Sequence, residues 1–508
     1  GYLVRPVVEF DLTLDDPLRS FSRWPEKYCG SGGAYKLTFP SNLFNNDHSH
    51  ADSGRVLYRL SDVKAGNPLD IGYDFSTPTV IDTYRVWFGN GQTNFARAPS
   101  DWTFEGSNDN VNYTVLDRRE RVTWMQNSTY REDGGRTFTC GNTTAYRFYR
   151  MVFTKSHSDA TYMEFTEIEF GRLSAAGELC IDVPAGKCIN SATVAFGENV
   201  RVVKEGDGEL LATKAYQRNI FLDVNAGRVI CNAAGQTCPL GQAFTLVTIH
   251  AGGELDFNSR GNYAWNTFVL DGGRLANASS QGPGVSHMSL LELTADSTID
   301  FAGDYGLVNN SSAGTLLDLN GHTLTIRMAE GMKFFFYNAD VLPGTIDVEG
   351  HIEVDATSLR AEGVTFNVTG ALDVKVPATV GNCMVDSAAT DLATNGVLTV
   401  KGVFAPKTDN FPRTTLANGA TLDLRGREEI LDLTTLAQPL TFAASGTIAV
   451  ALDAQTPRDH GKLVGWDEAT EPGDEVAFTL APGTSARGKL RRDDTGLYWE
   501  TGLVIFVR

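Results

Sequence analysis

A short motif, Gly-x-[Leu/Ile/Val]-x-[Leu/Val/Phe], recurs from Gly253 onwards and limits the possible folds most strongly. From Gly350 the repeat continues at Gly370, Gly396, Gly419 and Gly446, in steps of 20, 26, 23 and 27 residues, although the copy at Gly419 is out of frame. This spacing is typical of a solenoid whose coils stack on one another. One coil cannot bury its apolar face alone, so the stack itself forms the core. The copies are Gly253–Phe257, Gly344–Val348, Gly350–Val354, Gly370–Val374, Gly396–Val400 and Gly446–Val450.

The residue between the two apolar positions of each motif is predicted to point outward, because alternate residues of a strand face opposite sides. Two interpretations are open: a ladder of carboxylates that binds Ca²⁺ or a cationic partner, and staggered, solvated positions. We expect the second, because like charges about 4.8 Å apart on adjacent coils would repel. The acidic outward positions are Asp256, Asp300, Asp318, Asp347, Glu353, Asp373 and Asp423.

The first third of the chain has a different pattern, most clearly in Trp102–Asp117. Trp102 and Phe104 alternate with polar residues, which predicts a strand with one buried face. Gly106–Asn110 is dense in turn-forming residues. Apolar alternation then resumes at Val111, Tyr113 and Val115, so the stretch is predicted to be a β-hairpin.

Four blocks around this hairpin resemble, in order, the discoidin (coagulation-factor type C) family, which includes the family 32 carbohydrate-binding modules. They are LDIGYDFSTPTVIDTYRVWF, DWTFEGSNDNVNYTVLD, AYRFYRMVF and FTEIEF, within residues 18–172. The resemblance implies a jelly-roll β-sandwich with ligand-binding loops at one end.

A second resemblance lies just after this region. Val202–Ala212, Ala215–Tyr216 and Asp223–Val229 are similar to the autotransporter-associated β-strand repeat. This resemblance implies a right-handed parallel β-helix of secreted bacterial surface proteins.

Together these features predict an all-β protein with three parts. Residues 1–172 are expected to form a discoidin-like jelly-roll β-sandwich, and residues 173–460 a right-handed parallel β-helix. Residues 461–508 lose the coil rhythm and are expected to form a C-terminal hairpin cap, because the end of a solenoid exposes unpaired strand edges.

Three loops of the predicted sandwich contain side chains suited to sugar recognition: His48–Gly54, Gly89–Pro99 and Lys155–Tyr162. Aromatic rings pack on the C–H faces of pyranoses, and amide or guanidinium groups bind pairs of hydroxyls. Galactose-type modules of the family use a His, an Arg, an Asn and an aromatic residue here. For each residue alone, solvation or structural packing is the alternative. The corresponding candidates are His48, His50, Asn94, Phe95, Arg97, His157 and Tyr162.

The same resemblance implies a structural Ca²⁺ ion beneath these loops. Pro40–Asp47 aligns with the family turn that often holds calcium, although Asn45 replaces its first Asp. Calcium prefers about six to eight oxygen ligands, so Asn45, Asp47 and Glu167 with backbone carbonyls would form a weakened site. The alternative is an Asx-rich turn whose polar groups bind its own backbone.

Charge and cysteine content limit the partners. A net charge of −19 argues against nucleic acids and anionic membranes, and no apolar run reaches the ~18–20 residues of a membrane helix. The chain begins at Gly1 without a basic, apolar leader, so we expect a processed or trimmed product. The seven cysteines fit no zinc site. Disulfides or buried thiols are open alternatives for Cys180/Cys188, Cys231/Cys238 and Cys29/Cys140, with Cys383 left over.

No nucleophile elbow, zincin, P-loop or dinucleotide motif is present. We therefore predict a non-catalytic carbohydrate-binding or adhesion protein, extracellular or on a bacterial cell surface. Its partner would be a glycan or glycoprotein, with the β-helix as a stalk. One alternative is a structural protein that assembles with copies of itself into a filament or coat. Another is a β-helix polysaccharide lyase or glycosidase, although no cluster of acids with Arg or His is evident in the sequence.

Overall fold

β strands account for nearly all regular structure in the computed structural model. The described residues also form short 3₁₀ helices: η1 Pro17–Arg19, η2 Pro40–Leu43 and η3 Phe95–Arg97. No helix in the described ranges is both long and apolar enough to cross a bilayer. The structure describes residues 12, 17–22, 28–29, 35–36, 40–44, 56–59, 68–88, 95–124, 136–157, 162–173, 177–190, 200–213, 221–232, 240, 246–258, 263–277, 288–307, 315–386, 396–427, 429–453, 461–482, 484 and 488–500.

The chain divides into two compact units. The first contains Gly1–Val269 with Val285–Leu291 and Asn309–Leu316. The second contains Leu270–Gly284, Glu292–Val308 and Leu317–Arg508.

The first unit begins with antiparallel strands. They are β1 Ser20–Phe21, β2 Tyr28–Cys29, β3 Tyr35–Lys36, β4 Val56–Arg59, β5 Leu69–Val80, β6 Thr83–Trp87, β7 Pro99–Ser107, β8 Thr114–Arg119, β9 Arg136–Thr139, β10 Ala145–Ser156, β11 Tyr162–Phe165 and β12 Glu167–Gly171. The order of the largest sheet is β1-β5-β10-β7-β8, and that of the second is β12-β6-β9. Strands β11 and β4 pair separately, as do β2 and β3.

Aromatic side chains fill the space between the two larger sheets. The Phe104 ring on β7 lies 4.7 Å from the Tyr84 ring and 5.4 Å from the Phe170 ring, centroid to centroid. Trp102 Nε1 donates to the Tyr84 hydroxyl (3.0 Å), which donates to the Asp117 carboxylate (2.7 Å). These buried polar atoms are thus paired within an aromatic core. The predicted N-terminal β-sandwich is confirmed.

The predicted hairpin is present as β7 and β8, but its second strand is more exposed than expected. Val111 and Val115 are both exposed, although the alternation predicted a buried face. A register shift opposite Phe104 and Glu105 gives β8 an extra residue. Leu116 consequently packs against the core in place of Val115.

Parallel strands follow the sandwich in the first unit. They are β13 Leu179–Asp182, β14 Cys188–Asn190, β15 Arg201–Glu205, β16 Glu209–Ala212, β17 Phe221–Val224, β18 Gly227–Cys231, β19 Leu246–His250 and β20 Gly253–Asp256. Each strand pairs in parallel with the strand two places on, so Val202 stacks on Leu222 and Leu222 on Val247. These residues are buried, whereas Leu179 and Ile189 on the first coil are exposed.

The outer face of the three-stranded sheet packs on these first coils. The Arg85 guanidinium on β6 lies 5.9 Å from the centre of the Phe221 ring on β17. Leu173 packs against Phe221, Leu246 and Val269. The sandwich and the first coils therefore pack together within one unit.

The remaining strands lead through the second unit, with β21, β23 and β26 containing residues of both. They are β21 Tyr263–Asp271, β22 Arg274–Asn277, β23 Met288–Ala295, β24 Ser297–Phe301, β25 Tyr305–Leu307, β26 Thr315–Asp318, β27 Thr323–Met328, β28 Lys333–Val341, β29 Gly344–Val348, β30 His351–Val368, β31 Ala371–Val374, β32 Ala378–Val385, β33 Leu398–Val400, β34 Val403–Pro406, β35 Thr414–Leu416, β36 Thr421–Asp423, β37 Leu431–Asp432, β38 Leu440–Phe442, β39 Gly446–Ala451, β40 Lys462–Gly465, β41 Val476–Leu480, β42 Lys489–Asp493 and β43 Gly496–Glu500.

Inward side chains of the second unit form a continuous stack across successive coils, which we call the inward stack. Every member is completely buried. This arrangement confirms the predicted parallel β-helix, and β42 and β43 form the predicted C-terminal hairpin. Parallel pairing continues to β41, which pairs with β39. The inward stack consists of Leu324, Ile346, Phe366, Cys383, Phe404, Leu422 and Val450.

The structure does not support the predicted disulfide bonds that involve Cys140, Cys180 or Cys188. The Cys140 thiol donates to the Ile81 carbonyl at 3.7 Å, so the bridge between Cys29 and Cys140 is absent. Cys180 and Cys188 are exposed thiols. Cys238 lies outside the described residues, and Cys383 is explained by its place in the inward stack.

The expectation of solvated outward acids is wrong for several coils. Asp256, Glu353, Asp373 and Asp423 are all buried. Basic side chains lie over them: Arg228 binds Asp256, and Arg425 Nη2 lies 2.6 Å from Asp423 Oδ2. Long cationic side chains neutralise these carboxylates and exclude water from them.

Candidate functional site

Two of the predicted ligand loops leave the sandwich at the same end. Ser156, the last residue of β10, pairs with Pro99, the first residue of β7. The next residue, His157, donates its backbone N–H to the Ala98 carbonyl at 2.8 Å. The segment that follows β10 therefore starts beside the end of η3.

A charged and aromatic cluster lies at this end. The Arg97 guanidinium, at the end of η3, lies 5.1 Å from the centre of the Tyr162 ring. Its Nη1 is 3.4 Å from Oε2 of Glu164. Together with the adjacent His157, these residues are called the Arg97 cluster below.

The local sequence explains the arrangement. Tyr162 and Glu164 are two residues apart on β11, so their side chains lie on the same side of the strand. The Glu164 side chain is fully buried, whereas 22% of the Arg97 side chain is exposed. A buried carboxylate is costly unless a cation or hydrogen-bond donors pair with it, and Arg97 supplies a cation here.

The cluster combines a held guanidinium with an aromatic ring. Because Glu164 and the Tyr162 ring hold Arg97, little side-chain entropy is lost when its exposed edge binds a ligand. A guanidinium fork donates to pairs of oxygen atoms, and the ring beside it can pack on an apolar C–H surface. These properties suit a polar, ring-shaped ligand.

Among the predicted ligand residues, the structure brings together the side chains of Arg97 and Tyr162 and places the backbone of His157 beside Ala98. His48, His50 and Asn94 lie outside the described residues, and only the backbone of Phe95 is described, in η3. Glu164, which holds Arg97, was not among the residues predicted from the sequence. The sequence did contain a clue, because Glu164 lies two positions after Tyr162 in a strand whose residues alternate between its two faces.

Of the three predicted calcium ligands, the structure describes Glu167. Glu167, the first residue of β12, is completely buried. The Phe44 ring, one residue before Asn45, lies 5.7 Å from the Phe170 ring on β12. The chain that enters the predicted calcium turn thus starts beside the strand that contains Glu167, and a buried carboxylate is a ligand that calcium uses. Asn45 and Asp47 lie outside the described residues, so the calcium site stays a prediction.

The described ranges contain no group of three or more His, Cys, Asp or Glu side chains that is placed to hold a metal ion of any kind.

Comparison with known proteins finds no matching family model and no matching curated protein. Among solved structures, CBM32-1 from a family 31 glycoside hydrolase of Clostridium perfringens is 16% identical, with a TM-score of 0.22; the match covers 31% of this chain and 96% of that one. The Clostridium perfringens module CpGH89CBM32-5, in complex with GalNAc-beta-1,3-galactose, is 11% identical with a TM-score of 0.23 (30% and 96% covered). A chitosan-binding module of a Paenibacillus sp. IK-5 chitosanase/glucanase is 16% identical with a TM-score of 0.22 (32% and 97% covered). Such low scores support no conclusion about function.

Proposed function

We propose that this protein is a non-catalytic carbohydrate-binding protein whose sandwich binds a glycan at the Arg97 cluster. The observation that supports the proposal is the Arg97 guanidinium, which is held by a buried carboxylate beside an aromatic ring at the loop end. A sugar hydroxyl pair would accept hydrogen bonds from Arg97, and a pyranose face would pack on Tyr162.

The sequence resemblance favours a galactose-type sugar. The overall charge of −19 disfavours strongly anionic glycans, because the field of the whole protein repels them. We further propose an extracellular or cell-surface location, where the β-helix would serve as a stalk for the sandwich.

A glycan array that includes galactose- and N-acetylgalactosamine-terminated glycans tests the proposal. Calorimetry with galactose then compares wild type with Arg97→Met, which removes the guanidinium but keeps an apolar stem. A hydrogen bond to a charged group contributes about 1.5–3 kcal/mol, so we expect affinity to fall about 10- to 150-fold.

Val111→Ala is the matched control, because Val111 is exposed in the turn between β7 and β8, at the opposite end of the sandwich from Arg97. This variant should bind like wild type. The proposal is wrong if the array shows no glycan binding, or if Arg97→Met binds galactose with unchanged affinity while remaining folded.

One observation favours self-assembly as a second candidate function. The first coil exposes Leu179 and Ile189, and within the described part of the chain its strands β13 and β14 pair with strands of the following coil, β15 and β16. An uncovered strand edge is a template for pairing with another chain. Light scattering over a range of concentrations tests this candidate, which requires species larger than the 55.1 kDa monomer.

A further inference from the structure

One outer face of the β-helix in the second unit combines aromatic and charged side chains. On β28, Lys333, Phe335 and Tyr337 alternate with Phe334 and Phe336, which are completely buried. The three alternate residues therefore face outward.

The following coils continue this face. His351 pairs with Lys333, Glu353 pairs with Phe335, and Asp373 pairs with Glu353 on the coil after that. We call the set the β28–β31 face. Its members are Lys333, Phe335, Tyr337, His351, Glu353, Asp373 and Lys375.

Ion pairs fix the polar part of the β28–β31 face. Lys333 Nζ lies 2.7 Å from Glu353 Oε2 and 3.4 Å from Asp373 Oδ2. His351 Nε2 lies 2.9 Å from Asp373 Oδ2, and Lys375 Nζ also binds Glu353. The Glu353 and Asp373 side chains are only 4% and 2% exposed, whereas the three basic side chains are each about a quarter to a third exposed. Solvent thus meets the hydrogen-bond donors, and the carboxylates lie beneath them.

Coil stacking alone does not account for this network. Two carboxylates on adjacent coils, about 4.8 Å apart, repel one another. Burying ion pairs is also expensive, and well-packed apolar residues at such positions are often at least as stable. The arrangement does provide ammonium and imidazole groups whose positions are fixed before a ligand arrives, as a binding site requires.

Tyr337 gives a second, independent indication. Its side chain is 39% exposed, more than any other aromatic side chain whose burial the structure describes. The next residue, Asn338, has φ = +54°, and the register shifts between Tyr337 and Ala339. Such bulges re-aim neighbouring side chains and are common beside functional sites.

We infer that the β28–β31 face is a second saccharide-binding surface, separate from the Arg97 cluster. A sugar ring would pack on Tyr337, and hydroxyl oxygens would accept hydrogen bonds from Lys333 and His351. Lys333 and Tyr337 are four residues apart on one strand, or about 13 Å, so the surface fits an oligosaccharide segment of a polymer. The choice of a saccharide rests on the proposed carbohydrate-binding function.

Affinity electrophoresis of the full chain tests the inference. Gels would contain gastric mucin or arabinogalactan, with polymer-free gels as a reference, and calorimetry would report galactose binding. Loss of aromatic stacking should weaken retention of Tyr337→Ala by the polymer about threefold to tenfold without changing galactose affinity. Tyr337→Phe keeps the aromatic ring, so it should be retained like wild type. Retention of this variant would show that substitution at position 337 does not by itself unfold the protein.

Met384→Ala is the matched control, since Met384 is also 39% exposed and lies on strand β32 outside this face. It should migrate like wild type. If Tyr337→Ala is retained like wild type, the inference is wrong, whatever Arg97→Met does. If Arg97→Met binds galactose normally while Tyr337→Ala loses retention, the sandwich proposal fails and the second surface stands. If neither polymer retains the wild type while calorimetry still shows galactose binding, the second surface fails and the sandwich proposal stands.

Discussion

Replacing Phe366 with alanine would remove a large side chain from the inward stack. Phe366 is completely buried, and its in-register neighbours are Ile346 on one coil and Cys383 on the next. Because each coil of a solenoid contacts only its neighbours, the cavity should loosen these coils more than distant ones.

The expected effect is large. Replacing a buried Phe with Ala costs about 3–5 kcal/mol in well-packed cores. Each ~1.4 kcal/mol corresponds to a tenfold change in an equilibrium constant. The open form of the coils around Phe366 should therefore become about 100- to 4,000-fold more populated.

The Cys383 thiol reports this opening directly. Burial raises the pKa of Cys383 to about 12, so little reactive thiolate forms while the coil is closed. Maleimide labelling at neutral pH, followed by peptide mass spectrometry, should show Cys383 protected in wild type and labelled much faster in Phe366→Ala. The exposed Cys180 and Cys188 should be labelled at the same rate in both proteins.

Met384→Ala separates a cavity effect from a general disturbance of β32, because Met384 is adjacent to Cys383 but exposed. Its Cys383 labelling should match wild type. Equal Cys383 labelling rates in wild type and Phe366→Ala would refute the stacked-core argument. So would a wild-type Cys383 that reacts as fast as Cys180.

Two further predictions concern the sandwich. If calcium binds at Glu167, a chelator should lower the melting temperature of wild type but not of Glu167→Gln; absence of calcium in metal analysis, with no chelator effect, would contradict this. The hydrogen bond from Arg147 lowers the pKa of the Asp74 carboxyl, so its stabilisation is complete above the unfolded pKa near 3.9 and is lost as pH falls through the lower folded pKa. The stability difference between pH 7 and pH 3, measured by denaturant titration, should therefore be smaller for Arg147→Met than for wild type. An unchanged difference would exclude the contribution.

The β-helix was predictable because a solenoid repeats one burial rule. Gly344–Val348 and Gly350–Val354 each place two apolar residues inward, and both lie on stacked coils as expected. The stack itself supplies the core, so local pattern and global fold agree. The same logic identified the sandwich through the alternation of Trp102 and Phe104.

Register could not be predicted, and most errors follow from it. One extra residue in β8 turned Val115 to solvent and Leu116 to the core, because side chains alternate with a period of two. Whether Glu353 meets water or a lysine likewise depends on which residue of the preceding coil pairs with it. Lys333 comes 20 residues earlier in the chain, and only the coil register shows that it reaches Glu353.

The residue types of the candidate site could be predicted from the sequence, but the contacts between those residues could not. Arg97 and Tyr162 were identified as separate candidates on two loops, and the structure places the guanidinium over the ring. The buried Glu164 that holds Arg97 was missed, because a sequence gives no direct sign of which acid will be buried.

The two surfaces proposed here share one physical arrangement, which limits the ligands they can take. In each, a buried carboxylate lies behind a partly exposed cation: Glu164 behind Arg97, and Glu353 behind Lys333. The carboxylate cancels much of the local positive charge while it fixes the donors, so a ligand gains hydrogen bonds without strong charge attraction. In a protein with a net charge of −19, an anionic ligand would also meet long-range repulsion. Neutral, hydroxyl-rich ligands are therefore the class for which both surfaces are suited.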